Sequence, residues 1–505
     1  VSSDISSESS SSAESSDSSA SSSSSSESGP YADWREIEKA FPGAEGFGAA
    51  TSGGRGGDIY YVTTLSDSEE PGTLRHAINQ TGPRTILFKV SGYIHLNGNL
   101  DIREGDISIL GQTAPGDGIT LRGGSLRISQ GVENVVIRFI RSRLGVIDGE
   151  ADSLDGRYLK NIVIDHSSFS WAIDETTSLY ASNNVSFQWS LISESLNDAG
   201  HGKGEHGYGS NWGGVNASFH HNVMAHHKSR PPRIDGILDK WRDRKDYIDV
   251  NGVADLRNNI FYNHSTFPPY GAEGRDVQFI NNIYKPGPAT TADNVKNYIF
   301  LASGRRPLYD EDRIYTMHDY DALLAAGTID PKFLVNGKTS KPVGRVYVDG
   351  NLVVGNPHVT ANNVDGVRYD DESLKPHIIQ NNPFNTDAGE VNTQSAEDAY
   401  EWILAGVGAS FARDAVDTRV LLDVKNGTAS VRNGIVNVPD EVGGYPVLNN
   451  APAPLDTDGD GIPDAWEIAN GLDHLDASDG WEMFADRNGN YPEAKGWYTN
   501  AEVYW

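Results

Sequence analysis

A six-residue frame recurs along this chain and restricts its fold more than any other feature. Val135-Val-Ile-Arg-Phe-Ile140, Ile162-Val-Ile-Asp-His-Ser167, Val185-Ser-Phe-Gln-Trp-Ser190 and Ala217-Ser-Phe-His-His-Asn222 share it, and segments 254–259, 277–282 and 346–351 extend it. The first and third places are apolar or small, and later members carry Asn at the sixth, followed closely by Ile, Val or Leu. Early anchors lie about 23 to 37 residues apart, a solenoid period with inserted loops. One turn per repeat with strands stacked in parallel predicts an all-β chain, a parallel β-helix. Asn222, Asn259, Asn282 and Asn351 are then expected to stack as a ladder inside the turns; unrelated Asn-rich hairpins are the alternative. Such a solenoid must cover its first turn. Residues 31–41 read as a helical cap, and Ser395 reads as the N-cap of a helix running through Leu404 and Val407 that packs back along the solenoid.

The two ends differ in texture. Residues 1–30 are roughly two-thirds Ser with scattered acids, too polar to bury a core, and read as a disordered linker or solubilising tail. Residues 31–450 hold the solenoid and its packing tail. After the Pro-rich Ala451-Pro-Ala-Pro454, residues 451–505 read as a small acidic calcium-binding module. Its Asp456-Thr-Asp-Gly-Asp-Gly-Ile-Pro-Asp-Ala-Trp-Glu467 fits the D-x-D-x-D-G-x5-E loop. Asp456, Asp458 and Asp460 would supply carboxylates, Ile462 its carbonyl, Asp464 a direct or water-bridged contact, and Glu467 a bidentate pair. A degraded second copy begins at Asp486 and reaches for Glu502.

Composition narrows the chemistry. The chain has no Cys, so a metal must sit on oxygen or imidazole, and its formal charge of -29 disfavours nucleic acid as a partner. Glu150 and Asp152 precede Asp174 and Glu175 by one solenoid turn, which stacks four carboxylates on neighbouring turns. They form either a cation site, for which Ca2+ is the expected ion, or a solvated acidic edge. Lys203 and the Arg230-Pro-Pro-Arg233 segment follow one repeat later. Cations beside an anionic metal site suggest an anionic substrate between them; surface ion pairing is the plain alternative. His220, His221, His226, His227, His201 and His206 read as polar stacking residues in preference to zinc ligands, because adjacent strand residues face opposite ways.

Several motifs, in order, resemble the pectate lyase family 1 polysaccharide lyases: Phe41-Pro-Gly-Ala-Glu-Gly-Phe-Gly48, Gly53-Gly-Arg-Gly-Gly57, Gly72-Thr-Leu-Arg75, Val90-Ser-Gly-Tyr-Ile94, Ile164-Asp-His166, Phe219-His-His-Asn222 and Ser229-Arg-Pro231. The resemblance covers about residues 41 to 300. It implies a right-handed parallel β-helix and calcium-dependent cleavage of pectate (polygalacturonate) by β-elimination. It also implies that the protein is a monomer, secreted or tethered at the cell surface. By matching position, Glu150 and Asp152 fall where the family places its first calcium carboxylates. Thr177 and Ile173 stand where it carries acids, so Glu175, with Asp174 on a bulged strand, is the expected substitute. The resemblance makes Arg230 the base, Lys203 the grip on the substrate carboxylate, and Arg233 the neighbour of a substrate-binding arginine whose matching place falls on Asp235. An arginine base implies an alkaline optimum. The rivals are a β-helical polygalacturonase, which hydrolyses with a carboxylate pair, and a non-catalytic calcium-dependent pectin-binding protein.

Overall fold

The computed structural model describes residues 39–235, 252–272, 275–302, 344–369 and 375–505 apart from 493, with short pieces at 334–335, 338–339 and 372. The linker and most of the expected amino-terminal cap, residues 31–38, lie outside the described residues. Successive strands pair in parallel into long ladders, the topology of a right-handed parallel β-helix. One ladder runs from Gly92–His95 through Arg141–Arg143, Leu191–Ser193 and Ile260–Tyr262 to Leu352–Val353. A second carries the recurrent frame, and its register matches the sequence alignment at every step. Val135 pairs with Ile162, Ile162 with Val185, Val185 with Ala217, Ala217 with Ala254, Ala254 with Val277 and Val277 with Val346. The apolar first and third places fill the interior, where Ile162, Ile164, Phe187, Phe219 and Phe279 have no exposure.

The fifth and sixth places make the corner. Phe139, His166, Trp189, His221, Asn258 and Asn281 each take a left-handed backbone with φ between 42 and 55 degrees. Their side chains therefore stand in file: Phe139 stacks on His166, His166 on Trp189 and Trp189 on His221. The sixth place forms the amide ladder. Asn259 Oδ1 accepts from the Asn222 backbone and amide, Asn282 Oδ1 serves Asn259 in the same way, and Asn351 serves Asn282. Asn363 adds a further rung, while Ser167 and Ser190 replace Asn in earlier turns. Because Asn282 also donates to Leu256 O, Asn282→Ala strands the buried Asn259 N–H and Leu256 carbonyl of the preceding turn. A loss of at least about 2 kcal/mol is expected from urea unfolding at unchanged m; a shift below about 0.5 kcal/mol would remove the ladder from the account of stability.

Two segments clothe the outside. The Gly-rich opening crosses the outer face of the second ladder, where Phe47 N and Gly48 N donate to the Ser218 and Ser186 hydroxyls. A Cβ on Gly48 would meet Ile162 O at 2.3 Å, and one on Gly54 would meet Arg84 O at 1.8 Å, which explains the glycines. At the other end, Ser395 caps helix Ala396–Gly406, and helix Ala415–Asn426 follows. Ile403, Val407, Val420 and Val424 pack on Leu191, Val223, Ile260 and Ile283 of the first ladder. Segment 451–505 meets the first turns of the solenoid, where Tyr61 Oη donates to Asp456 Oδ2 at 2.8 Å.

Candidate active site

The candidate residues converge where the loops preceding strands Leu154–Arg157, Glu175–Gln188 and Tyr208–His220 meet. Glu150 and Asp152 lie between strands Arg141–Arg143 and Leu154–Arg157; Asp174 and Glu175 open strand Glu175–Gln188; Lys203 sits in the loop before strand Tyr208–His220. With Arg230 these five line one cleft of about 370 Å³, within the ~300–1,000 Å³ range of ligand sites. Register explains the convergence. Leu154 pairs with Thr177, so Asp152 lies level with Glu175, whose backbone N–H donates to Asp152 Oδ1 at 3.1 Å.

Ligand atoms of Asp152, Asp174 and Glu175 lie within 4.8 Å of one another. Burial and the neighbouring Asp155 and Asp174 carboxylates push the Asp152 carboxyl well above its ordinary range, against a bond from Ser178. This donor set, all oxygen and self-repelling, fits a hard divalent cation. The Asp174 and Glu175 substitution expected from sequence is geometrically open, whereas Thr177 and Ile173 are fully buried. The Thr177 hydroxyl bonds Ser210 and accepts from Trp212 Nε1.

Glu150 takes a different place, outside that trio. Its Oε2 lies 3.3 Å from His201 Nε2, and His206 Nε2 lies 3.2 Å from Asp174 Oδ1. The backbone N–H of Lys203 donates to His201 Nδ1 at 3.1 Å, and the buried His201 Nε2 has no hydrogen-bond partner. The two rings stack at 3.4 Å. His201, His206 and Asp174 also bring ligand atoms within 4.8 Å of one another, a second arrangement open to a metal ion, while His221 stacks on Trp189. Sequence reasoning did not place His201 and His206 beside the acids, because an inserted loop brings them there.

Arg230 forms an ion pair with Glu175, and its guanidinium lies 4.4 Å over the Tyr208 ring. Its Nε has no hydrogen-bond partner. Burial lowers its proton affinity, helped by Arg233 and opposed by Tyr270 and Asp174. The two prolines that follow would favour an extended Arg230; the structure instead gives it a left-handed backbone, φ 55 degrees. Ser210 N donates to its carbonyl at 2.8 Å and holds this turn against strand Tyr208–His220. Arg233 is buried in the short strand Arg233–Ile234 and is not among the cleft-lining side chains, and Asp235 accepts from Ala181 N. The cleft also contains Arg127, Asp155, Arg157, Tyr180 and Asn211, which no motif marked.

The carboxyl-terminal loop forms a second acidic cluster. Asp456, Asp458 and Asp460 bring ligand atoms within 4.8 Å of one another, and Asp460 and Glu467 do so with Asp479, a residue outside the motif. Burial and neighbouring carboxylates push Asp460 up to about 7 and Glu467 up to about 8. Ile462 is buried and donates its N–H to Asp460, while Asp464 accepts from the Thr457 backbone and hydroxyl. In the degraded second copy, Asp486 accepts from Tyr491 N, and Glu502 pairs with Arg55 and accepts from Thr499 N.

No family model matches the chain. Among known proteins, it is 31% identical over 441 residues to a probable pectate lyase C of Emericella nidulans, covering 86% of each. It is 32% identical over 444 residues to one of Aspergillus flavus, covering 86% of this chain and 88% of the relative. Among solved structures, a pectate lyase of Bacillus sp. N165 in complex with trigalacturonate matches 74% of this chain and 100% of its own, with 15% identity and a TM-score of 0.44. At 31–32% identity over 86–88% of the length of those relatives, the chain belongs to the pectate lyase family.

Proposed function

We propose that this protein cleaves pectate by β-elimination, with calcium held by Asp152, Asp174 and Glu175 and assisted by Glu150. The observation that carries the reading is one cleft in which an all-carboxylate group faces Arg230 and Lys203. Galacturonate carries a carboxylate at C5 and a glycosidic oxygen at C4. Elimination removes the C5 proton, forms the C4–C5 double bond and expels the C4 oxygen. Bound calcium would supply charge neutralisation and polarisation of the uronate carboxylate. Lys203, exposed at the rim, pairs with that carboxylate and helps hold the charge that develops on it. Arg230 takes the C5 proton through its guanidine; to act as base it must first leave Glu175, since an ion-paired guanidinium holds its proton. Its lowered proton affinity favours this role at alkaline pH. Cations also reconcile a protein of charge -29 with a polyanionic substrate. We place the enzyme outside the cell, secreted or surface-tethered, where such a polymer is met, and as a monomer; no described helix is long and apolar enough to cross a membrane.

The test is absorbance of the unsaturated product on polygalacturonate. Activity is expected to vanish in excess chelator and return with Ca2+, and Asp152→Ala should raise the calcium requirement at least tenfold, about 1.4 kcal/mol of binding. Full activity in chelator would sink the metal role. Reducing ends without ultraviolet absorbance would establish the hydrolase, and binding without cleavage the inert pectin-binding protein.

A further inference from the structure

We propose that Asp456, Asp458, Asp460, Glu467 and Asp479 hold one calcium ion that clasps the carboxyl-terminal segment onto the first turns of the solenoid. None of these residues lines the cleft. Glu467 has no exposure, and neither of its carboxylate oxygens has a hydrogen-bond partner. Asp460, 3% exposed, leaves Oδ2 unpartnered, as do Asp458 at Oδ2 and Asp479 at Oδ1. Stranding a fully buried carboxylate is too costly to leave without a counter-charge, and these free oxygens belong to residues whose ligand atoms already converge. The donors are all oxygen and exceed four, which suits calcium over zinc or magnesium.

Asp479 is the unexpected member. It follows Glu467 by a helix and a turn and reaches the loop because Gly480 leaves room; a Cβ there would meet Asp460 Oδ2 at 1.9 Å. The loop's first aspartate faces both ways. Asp456 Oδ2 lies 2.8 Å from Tyr61 Oη and 3.2 Å from Lys89 Nζ, and Tyr61 Oη also lies 3.0 Å from Gly459 O. Tyr61 belongs to Asp58–Val62, the first described strand of its ladder. Around this point Gln112 donates to Trp505 O, Trp505 Nε1 donates to Gly461 O, and Arg55 pairs with Glu502. Ligation therefore fixes the carboxylate to which the solenoid's first strand is bonded, and the segment that sequence marks as a separate unit covers an edge that a solenoid must protect.

The test uses the full chain, stripped with chelator and titrated with CaCl2 by calorimetry, together with deuterium exchange of strand Asp58–Val62. Glu467→Gln is expected to lose one equivalent of calcium, and Asp479→Asn to weaken that equivalent at least tenfold. Calcium should slow exchange of the strand at least tenfold in the unmodified protein and in Asp152→Ala, and have no such effect in Glu467→Gln. Tyr61→Phe should retain the affinity and lose most of the protection. Unchanged stoichiometry in Glu467→Gln, unchanged affinity in Asp479→Asn, exchange indifferent to calcium, or loss of protection in Asp152→Ala would each overturn the proposal. None of these readouts uses pectate cleavage, so failure of the lyase reading leaves them intact.

Discussion

Arg230→Lys is expected to lose about 10²–10⁴-fold in turnover, the range for removal of a positioned general base, with little change in KM. A lysine keeps the charge, and it would still pair with Glu175. It lacks the planar face that lies over Tyr208 and the reach and geometry of the guanidinium. Lys203→Ala should behave otherwise. In the proposed mechanism its partner is the uronate carboxylate in both the ground state and the transition state, so KM is expected to rise and turnover to fall together. Steady-state kinetics at pH about 9 with saturating calcium separate the two patterns. Near-normal turnover in Arg230→Lys, with collapse in Lys203→Ala, would reverse the assignment and make the lysine the base.

The second large effect is structural. Arg143 and Asp417 have fully buried side chains and Asp414 is nearly so, and Arg143 Nη2 lies 2.8 Å from Asp414 Oδ1, 2.9 Å from Asp414 Oδ2 and 2.8 Å from Asp417 Oδ1. This cluster pins the start of helix Ala415–Asn426 to strand Arg141–Arg143. Arg143→Met leaves two carboxylates in the interior without that partner and should cost about 3–5 kcal/mol, because the desolvation cost remains while the attraction is gone. Burial would raise the Asp414 carboxyl, yet Arg143 and Arg141 hold it below its ordinary value. A folded-state value below the unfolded one stabilises above about pH 4 and is lost as pH falls through the folded value. Unfolding of Arg143→Met followed against pH should therefore show both the deficit at pH 7 and a flatter acid limb. A deficit under about 1 kcal/mol would mean the tail is held by its apolar face alone.

The repeat was legible because it is a property of local pattern: alternation places the first and third residues inside, and an Asn amide donates and accepts at once, so one residue type at one place predicts the ladder. The start of the helical tail was legible for the same reason, through Ser395, whereas helix Ala415–Asn426 was not anticipated. The cleft was legible only in part. The carboxylates on adjacent turns could be anticipated from strand spacing, but the pairing of Glu150 with His201, the ion pair of Arg230 with Glu175 and the withdrawal of Arg233 from the cleft depend on inserted loops whose paths no period fixes. Arg230 itself departs from the backbone that its prolines favour, since the neighbouring strand holds its carbonyl.

By itself the sequence determined the solenoid, its register and the five carboxylates of the terminal motif, all set by spacing along the chain. Tertiary structure alone decided that Asp479 joins that motif, that Asp456 meets Tyr61 and Lys89, and that Asp414 and Asp417 neutralise an arginine some 270 residues earlier. The physical reason is range. Alternation, capping and turn chemistry act between residues a few places apart, whereas a buried charge is indifferent to sequence distance and takes whichever counter-charge the packing of distant segments brings within about 4 Å.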